Sequence, residues 1–300
     1  MSGFRIACAQ YAIEPMASLD AWQDKVGRWV KEAAQAGAQL LVFPEYAAME
    51  IAASDPATMS DLDGSLRTVI AAGDTMDAYH ESLAEWHGVI ILGSSRPYAL
   101  PDGRIVNRAR LFAPNGRNGY QDKLMMTRFE RERWGISGGD HIRVFRTALG
   151  LIGISICYDV EFPMIARAQA EAGARLILTP SCTDSMQGYW RVRIGAQARA
   201  LENQIYVAHA PTVGMAPWSP AVDENYGMAG LYGPSVMECP DDGVLAIGGE
   251  RDSGWTFAEV NPSRVDNWRD AGAVRPFAHW NEQFLGVPVR HPPVEMIDLC

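Results

Sequence analysis

The sequence predicts an α/β protein built as a four-layer α-β-β-α sandwich, with two mixed sheets packed face to face and helices outside. Three observations lead there. Short, almost wholly apolar strand patterns such as residues 39–43 (QLLVF) and 175–181 (RLILTPS) need cover on both faces. They alternate with amphipathic helical patterns, and the strand, helix, strand plan occurs once in each half of the chain.

In order, residues 4–10 (FRIACAQ) alternate in part and read as a first strand. Ser18 can cap a helix running to Gly37, because Leu19, Trp22, Val26, Trp29, Val30 and Ala33 recur at three- and four-residue intervals and Gly37 supplies a stop. The strand QLLVF ends at Pro44, which leaves Glu45 immediately beyond a strand end. A second long helix over roughly 64–87 ends at Gly88 and leads into a buried strand, VIILGSS. Segments 104–113, 118–122 and 142–147 read as shorter strands in antiparallel hairpins, with Pro114, Asn115 and Gly116 as a turn. The second half begins with the strand LGLIGISIC, a helix to Gly173 and the strand RLILTPS. A helix over roughly 188–202 and the strand QIYVAHA follow.

No linker divides the chain, so residues 1–272 are expected to form one domain. Residues 273–300 carry Pro276, Pro288, Pro292 and Pro293 among Trp280, Phe284 and Val287. That mixture suits an extended C-terminal arm packing on a partner subunit.

The chain is 300 residues long, 48% hydrophobic and 21% charged, with a formal net charge of -10. Such a field attracts neither nucleic acid nor an anionic membrane, which leaves a small-molecule substrate. No apolar run reaches the length of a membrane span, and a cytoplasmic location is expected. Five scattered cysteines (8, 157, 182, 239 and 300) form neither a disulfide framework nor a paired zinc-ligand motif. The six histidines contain no H-x-x-x-H pair and no glycine loop matches a phosphate-binding pattern, so no metal and no cofactor are expected.

Cys157 ends an apolar strand and precedes Tyr158, with Glu161, Phe162 and Pro163 opening the next helix. Backbone N–H groups at such a turn can lower a thiol pKa and donate to an oxyanion. Seen alone, Cys157 reads equally as a small buried hydrophobe. An unperturbed thiol is only about 3% ionised at neutral pH, so a catalytic one needs a base or a positive neighbour. Glu45 and Lys123 can supply both, although each alone would pass for an ordinary surface charge.

Together LLVFPE, YQDKLMMTRFERE and ISICYDVEFP, in that order and spacing, resemble the nitrilase superfamily of carbon–nitrogen hydrolases. The resemblance extends through ARALENQIYV (198–207) to GLYGPSVMECPDDG (230–243). It implies the same sandwich, no cofactor, homodimers or higher homo-oligomers, and a catalytic triad at Glu45, Lys123 and Cys157. Glu130 matches a second glutamate that supports the lysine. In such a site Glu45 is the general base, the thiolate of Cys157 attacks an amide carbon, and Lys123 with the backbone N–H of Tyr158 stabilises the oxyanion.

Tyr158 and Asp159 after the nucleophile resemble the aliphatic amidase, ω-amidase and carbamoylase branches rather than nitrilases, which usually carry Trp-Glu there. Gln197 stands where many relatives have an arginine, which argues against carbamoyl amino acids. Met164 and the run from His209 to Pro211 also depart from the common pattern. Tyr46, Trp134, Ser181, Thr183, Asp184, Trp190 and His209 are candidate substrate-binding residues, while Cys182 and Cys239 read as structural. The expected reaction is hydrolysis of a small amide through a cysteine thioester. The alternatives are nitrile or N-carbamoyl hydrolysis on the same triad, a Cys157–His209 pair, acyl transfer to an amine, and a catalytically silent scaffold.

Overall fold

Local signals set the boundaries of the elements. Ser18 accepts the N–H of Ala21 and starts the first helix, Asp61 accepts the N–H of Gly64 and starts the second, and Gly88 in the left-handed region (φ +65°) ends it. The computed structural model describes residues 3–250 and 252–300. Its first half contains β1 (Phe4–Ala12), α1 (Leu19–Gln35), β2 (Leu40–Val42), α2 (Leu62–His87), β3 (Ile90–Leu92) and β4 (Arg96–Ala99). Then come β5 (Ile105–Phe112), β6 (Asn118–Asp122), α3 (Arg128–Glu132) and β7 (Ile136–Ser137). The second half contains β8 (Ile142–Thr147), β9 (Gly150–Ile154), α4 (Pro163–Glu171), β10 (Leu176–Ser181), α5 (Met186–Asn203) and β11 (Tyr206–Met215). It closes with β12 (Glu224–Asn225), β13 (Gly230–Tyr232), β14 (Val244–Ile247), β15 (Gly254–Val260), α6 (Pro262–Ala271), α7 (Pro276–His279) and β16 (Val294–Asp298).

Two mixed sheets result. The first runs β15-β1-β2-β3-β5, with β4, β6 and β7 also paired to β5. The second runs β16-β8-β9-β10-β11-β13-β14. They meet where the end of β1 pairs with β11, Tyr11 opposite Thr212 and Ala12 opposite Val213. Strand alternation builds the layers. Phe4, Ile6, Cys8, Leu40 and Val42 of the first sheet share one core with Ile152, Ile154, Leu176 and Leu178 of the second. The intervening Ala7, Ala9, Tyr11 and Leu41 pack under α1 and α2 against Trp22, Val26, Val30 and Val69. Across the molecule Ala166 and Ala170 of α4 and Val192, Ala196 and Ala200 of α5 cover the second sheet. Each large apolar side chain so buried contributes about 1.5–3 kcal/mol.

The four-layer sandwich is therefore the architecture. Several details differ from the sequence reading. Segment 142–147 belongs to the second sheet, between β9 and β16, rather than with the hairpin of β5 and β6. β15 pairs antiparallel to β1 at the edge of the first sheet, from Phe4 opposite Val260 to Gln10 opposite Gly254. Within the chain, the C-terminal segment forms α7 and the 3-10 turn Trp280–Phe284. It then adds β16 in parallel to β8 of the same chain. No helix among the described residues is long and apolar enough to cross a membrane.

Candidate active site

Both reactive strand ends turn sharply. Beyond β2 the chain passes Glu45 and bends at Tyr46, whose φ of +54° is left-handed and whose N–H is donated to Ser95 Oγ at 3.1 Å. Beyond β9 it bends at Cys157, φ +49°. Left-handed backbone at a non-glycine residue costs about 1–3 kcal/mol and persists only where its surroundings hold it. Lys123 follows β6, its N–H donated to the Asn107 carbonyl at 2.9 Å. Glu130 lies in α3, where Thr127 and Glu130 form a capping box.

These elements bring Glu45, Lys123, Glu130 and Cys157 together, all buried. Lys123 Nζ donates to Glu45 Oε1 at 2.8 Å and to Glu130 Oε1 and Oε2 at 2.8 and 2.7 Å. Asn107 Nδ2 donates to Glu45 Oε1, and the backbone N–H of Cys182 to Glu45 Oε2, both at 2.9 Å. Glu130 also accepts from Tyr46 OH and from the N–H and hydroxyl of Thr127, each at 2.9 Å. The Cys157 thiol lies 3.8 Å from the carbonyl oxygen of Cys182, the residue whose N–H reaches Glu45.

Electrostatics separate the two glutamates. Burial raises the pKa of Glu45, opposed by Lys123 and reinforced by the charge of Glu130. Burial also pushes Glu130 up, but the charge and hydrogen bonds of Lys123 and the Thr127 donors outweigh it and hold Glu130 below the usual carboxylate range. Burial works against a charged Lys123, yet Glu45 and Glu130 keep it well above its ordinary value. The thiol is a correction to the sequence reading. Burial, then the Glu45 charge, pushes Cys157 well above a normal cysteine, and only a short 3-10 turn, Cys157–Glu161, follows it before α4. The resting thiol is thus protonated.

A cavity of about 330 Å³ opens onto this centre. Of the side chains singled out from sequence, Tyr46, Trp134, Tyr158, Thr183 and Asp184 line it, and the rings of Tyr46 and Trp134 pack with centroids 4.7 Å apart. Ser181, His209 and Trp190 do not line it. Ser181 Oγ and His209 Nε2 bond each other at 2.7 Å, and the imidazole stacks on Tyr189 of α5. Strand alternation turns Ser181 to that side and leaves the next residue, Cys182, facing the cavity. Burial, with the Arg193 charge, lowers the His209 pKa to about 3, so it is neutral. Trp190 is half-exposed on α5, whose cavity-facing residues are Arg191 and Val192. Gln197 donates to the Asp242 carbonyl at 3.1 Å, away from the cavity, so the missing arginine there says nothing about substrate.

Sequence reasoning missed Asn107, the Cys182 amide and Asp159. Asn107 left one signal, a polar residue inside the strand IVNRARLF. The Asp159 carboxylate accepts the N–H groups of Leu124, Met125 and Ile156. Among the described residues no group of three or more His, Cys, Asp or Glu side chains is placed to hold a metal ion.

Two sheets that present a cysteine, a lysine and a glutamate at their strand ends, with a second glutamate on a short helix, define the nitrilase fold class. In fold the chain is similar to yeast Nit3, a member of branch 10 of the nitrilase superfamily, at TM-score 0.68 and 24% identity over 90% of this chain and 94% of that one. The chain belongs to the carbon-nitrogen hydrolase family, whose model matches residues 5–270. It is 36% identical over 278 residues to a probable hydrolase, YhcX, of Bacillus subtilis, covering 90% of this chain and 52% of that protein, about half its length. It is 26% identical over 262 residues to the omega-amidase NIT2 of Xenopus tropicalis, covering 84% of this chain and 87% of that one.

Proposed function

We propose that the protein hydrolyses the C–N bond of a small amide through a thioester on Cys157, releasing ammonia or an amine. The observation that carries this reading is that Glu45, bonded to Lys123 Nζ and to the Cys182 N–H, lines one buried cavity together with Lys123 and Cys157. Glu45 takes the thiol proton as Sγ attacks the carbonyl carbon, and the oxyanion is met by Lys123 and the N–H of Tyr158. One such donor is worth about 2.7–4 kcal/mol of barrier. Protonated Glu45 then passes its proton to the nitrogen, the C–N bond breaks and the thioester remains. Water, deprotonated by the same carboxylate, attacks the thioester and the thiol leaves with its proton restored. Glu130 fixes Lys123 throughout.

Two features support this assignment. His209 is engaged with Ser181, which favours Glu45 over a histidine as base, and the relatives include an omega-amidase. Tyr46, Trp134, Thr183 and Asp184 form the substrate wall in this reading. A homodimer is part of the proposal, supported by the exposed Ile194 and Leu201 on α5, and light scattering at the dimer mass tests it. So is a cytoplasmic location, on the sequence argument alone.

The decisive experiment screens ammonia release over small amides, ω-amides, carbamoyl compounds and nitriles, with mass spectrometry for an acyl adduct on Cys157. Cys157→Ser, Glu45→Gln and Lys123→Ala are expected to abolish turnover and His209→Ala to retain it. Turnover surviving in Lys123→Ala overturns the triad.

A further inference from the structure

Asp159 lies two residues past the nucleophile, fully buried, and is absent from the wall of the cavity. Its Oδ1 accepts the N–H of Leu124 at 3.1 Å and of Met125 at 2.7 Å, and its Oδ2 accepts the N–H of Ile156 at 3.1 Å. The first two donors directly follow Lys123, and the third directly precedes Cys157. One carboxylate therefore ties the loop that carries the lysine, from the first sheet, to the turn that carries the thiol, from the second. The Lys123 segment is neither helix nor strand at that point, and Cys157 opens its short 3-10 turn in an unfavourable left-handed conformation that needs an external hold.

The chemistry of the donors selects the side chain. Three N–H groups converge on two oxygens, which a carboxylate can accept together, and they offset part of the burial that pushes the Asp159 pKa up to about 7. An asparagine turns an NH2 group toward one set of donors, and a longer side chain overfills a closed site. A misplacement of about 1 Å between reacting groups can cost on the order of a hundredfold in rate.

We propose that Asp159 is a positioning residue that sets the spacing between Lys123 Nζ and Cys157 Sγ. It acts through the backbone on both sides and touches no substrate. The assignment rests on the reading of Cys157 and Lys123 given above.

The test is Asp159→Asn in the full chain, with kcat and KM for an accepted amide, the rate of Cys157 alkylation by iodoacetamide, and the thermal midpoint. Alkylation needs the thiol and its base but no oxyanion donor. The expected result is a folded protein whose kcat falls about a hundredfold, with KM within about threefold and alkylation within about fivefold of the parent. A kcat within threefold of the parent overturns the proposal. So does a uniform collapse of kcat, KM and alkylation, which marks a structural role only. If Asp159→Asn does not fold, Asp159→Glu, which keeps both oxygens, is judged by the same split, and failure of both variants to fold makes Asp159 a folding determinant and removes the assignment. Absence of any acyl adduct on Cys157 in the parent instead removes the underlying reading of the site, which separates the two failures.

Discussion

Glu45 and Glu130 both contact Lys123 Nζ, yet burial leaves one raised and the lysine holds the other low. In the proposed mechanism the raised group exchanges protons with thiol and substrate, and the low one stays ionised as an anchor. Since Glu45 works as a base only when ionised, a raised pKa places the acid limb of kcat/KM above the ordinary carboxylate range. Glu130→Gln removes a neighbouring negative charge and lets the Glu45 pKa fall. The acid limb should therefore move to lower pH, with kcat reduced about 10- to 100-fold as Lys123 loses its anchor. A pH series of ammonia release reads this directly, and a shift to higher pH contradicts it. The four central residues were legible in the sequence because each lies in a short motif at a strand or helix end. Asp159 and the Cys182 amide were not, since what they bond is decided by the approach of segments 35 and 137 residues away. Ser181, His209 and Trp190 lie outside the cavity wall for a related reason. Proximity to a motif does not say which way a strand or helix turns a side chain.

At the scale of elements, the helices α1, α2, α4 and α5 were legible to within two residues because their end signals are local, while α3, α6 and α7 were not read. The strands β4, β14 and β15 were not read as such. β14 and β15 are half-exposed, and β15 is defined by a partner, β1, at the other end of the chain. Ser18→Ala should cost about 1 kcal/mol in urea denaturation, since only the Ala21 N–H loses its acceptor. The turn Ala47–Ser54 is tied more deeply. Fully buried Glu50 accepts from Lys25 Nζ at 2.5 Å, from Tyr11 OH at 2.9 Å and from the N–H of Glu14 at 2.7 Å, which binds the turn after Glu45 to α1 and β1. Glu50→Gln strands a buried lysine and should destabilise by about 3 kcal/mol, the low end for a broken buried pair, because Glu14 still reaches Lys25 at 2.8 Å. Equilibrium denaturation measures it, and a change under 1 kcal/mol would show that Glu14 alone suffices.

Over the whole molecule the charge is negative, and the cavity shares the sign. Glu45, Glu130, Glu161, Asp184, Asp223 and Glu224 line it against Lys123, Arg128 and Arg191. Arg191 is paired with Glu161 and Arg128 with Glu132. Asp184, Asp223 and Glu224 have no ion pair among the described residues. Such a field favours neutral or cationic amides over those carrying a carboxylate. In a matched series of ω-amino, unsubstituted and ω-carboxy amides, kcat/KM should fall in that order. The spread should narrow several-fold between about 20 mM and about 300 mM salt as screening shortens the reach of the rim charges.

Glu45, Lys123 and Glu130 hang from one sheet, and Cys157 with the Cys182 amide from the other, with the Glu45 to Cys182 hydrogen bond crossing between them. Neither half of the chain can therefore be reactive by itself. In the proposed mechanism the thiol lacks its base until the second half docks on the first, which spares the cell a nucleophile without a pocket. In the finished protein a slip of one sheet over the other is read out as lost turnover before any helix or strand has melted.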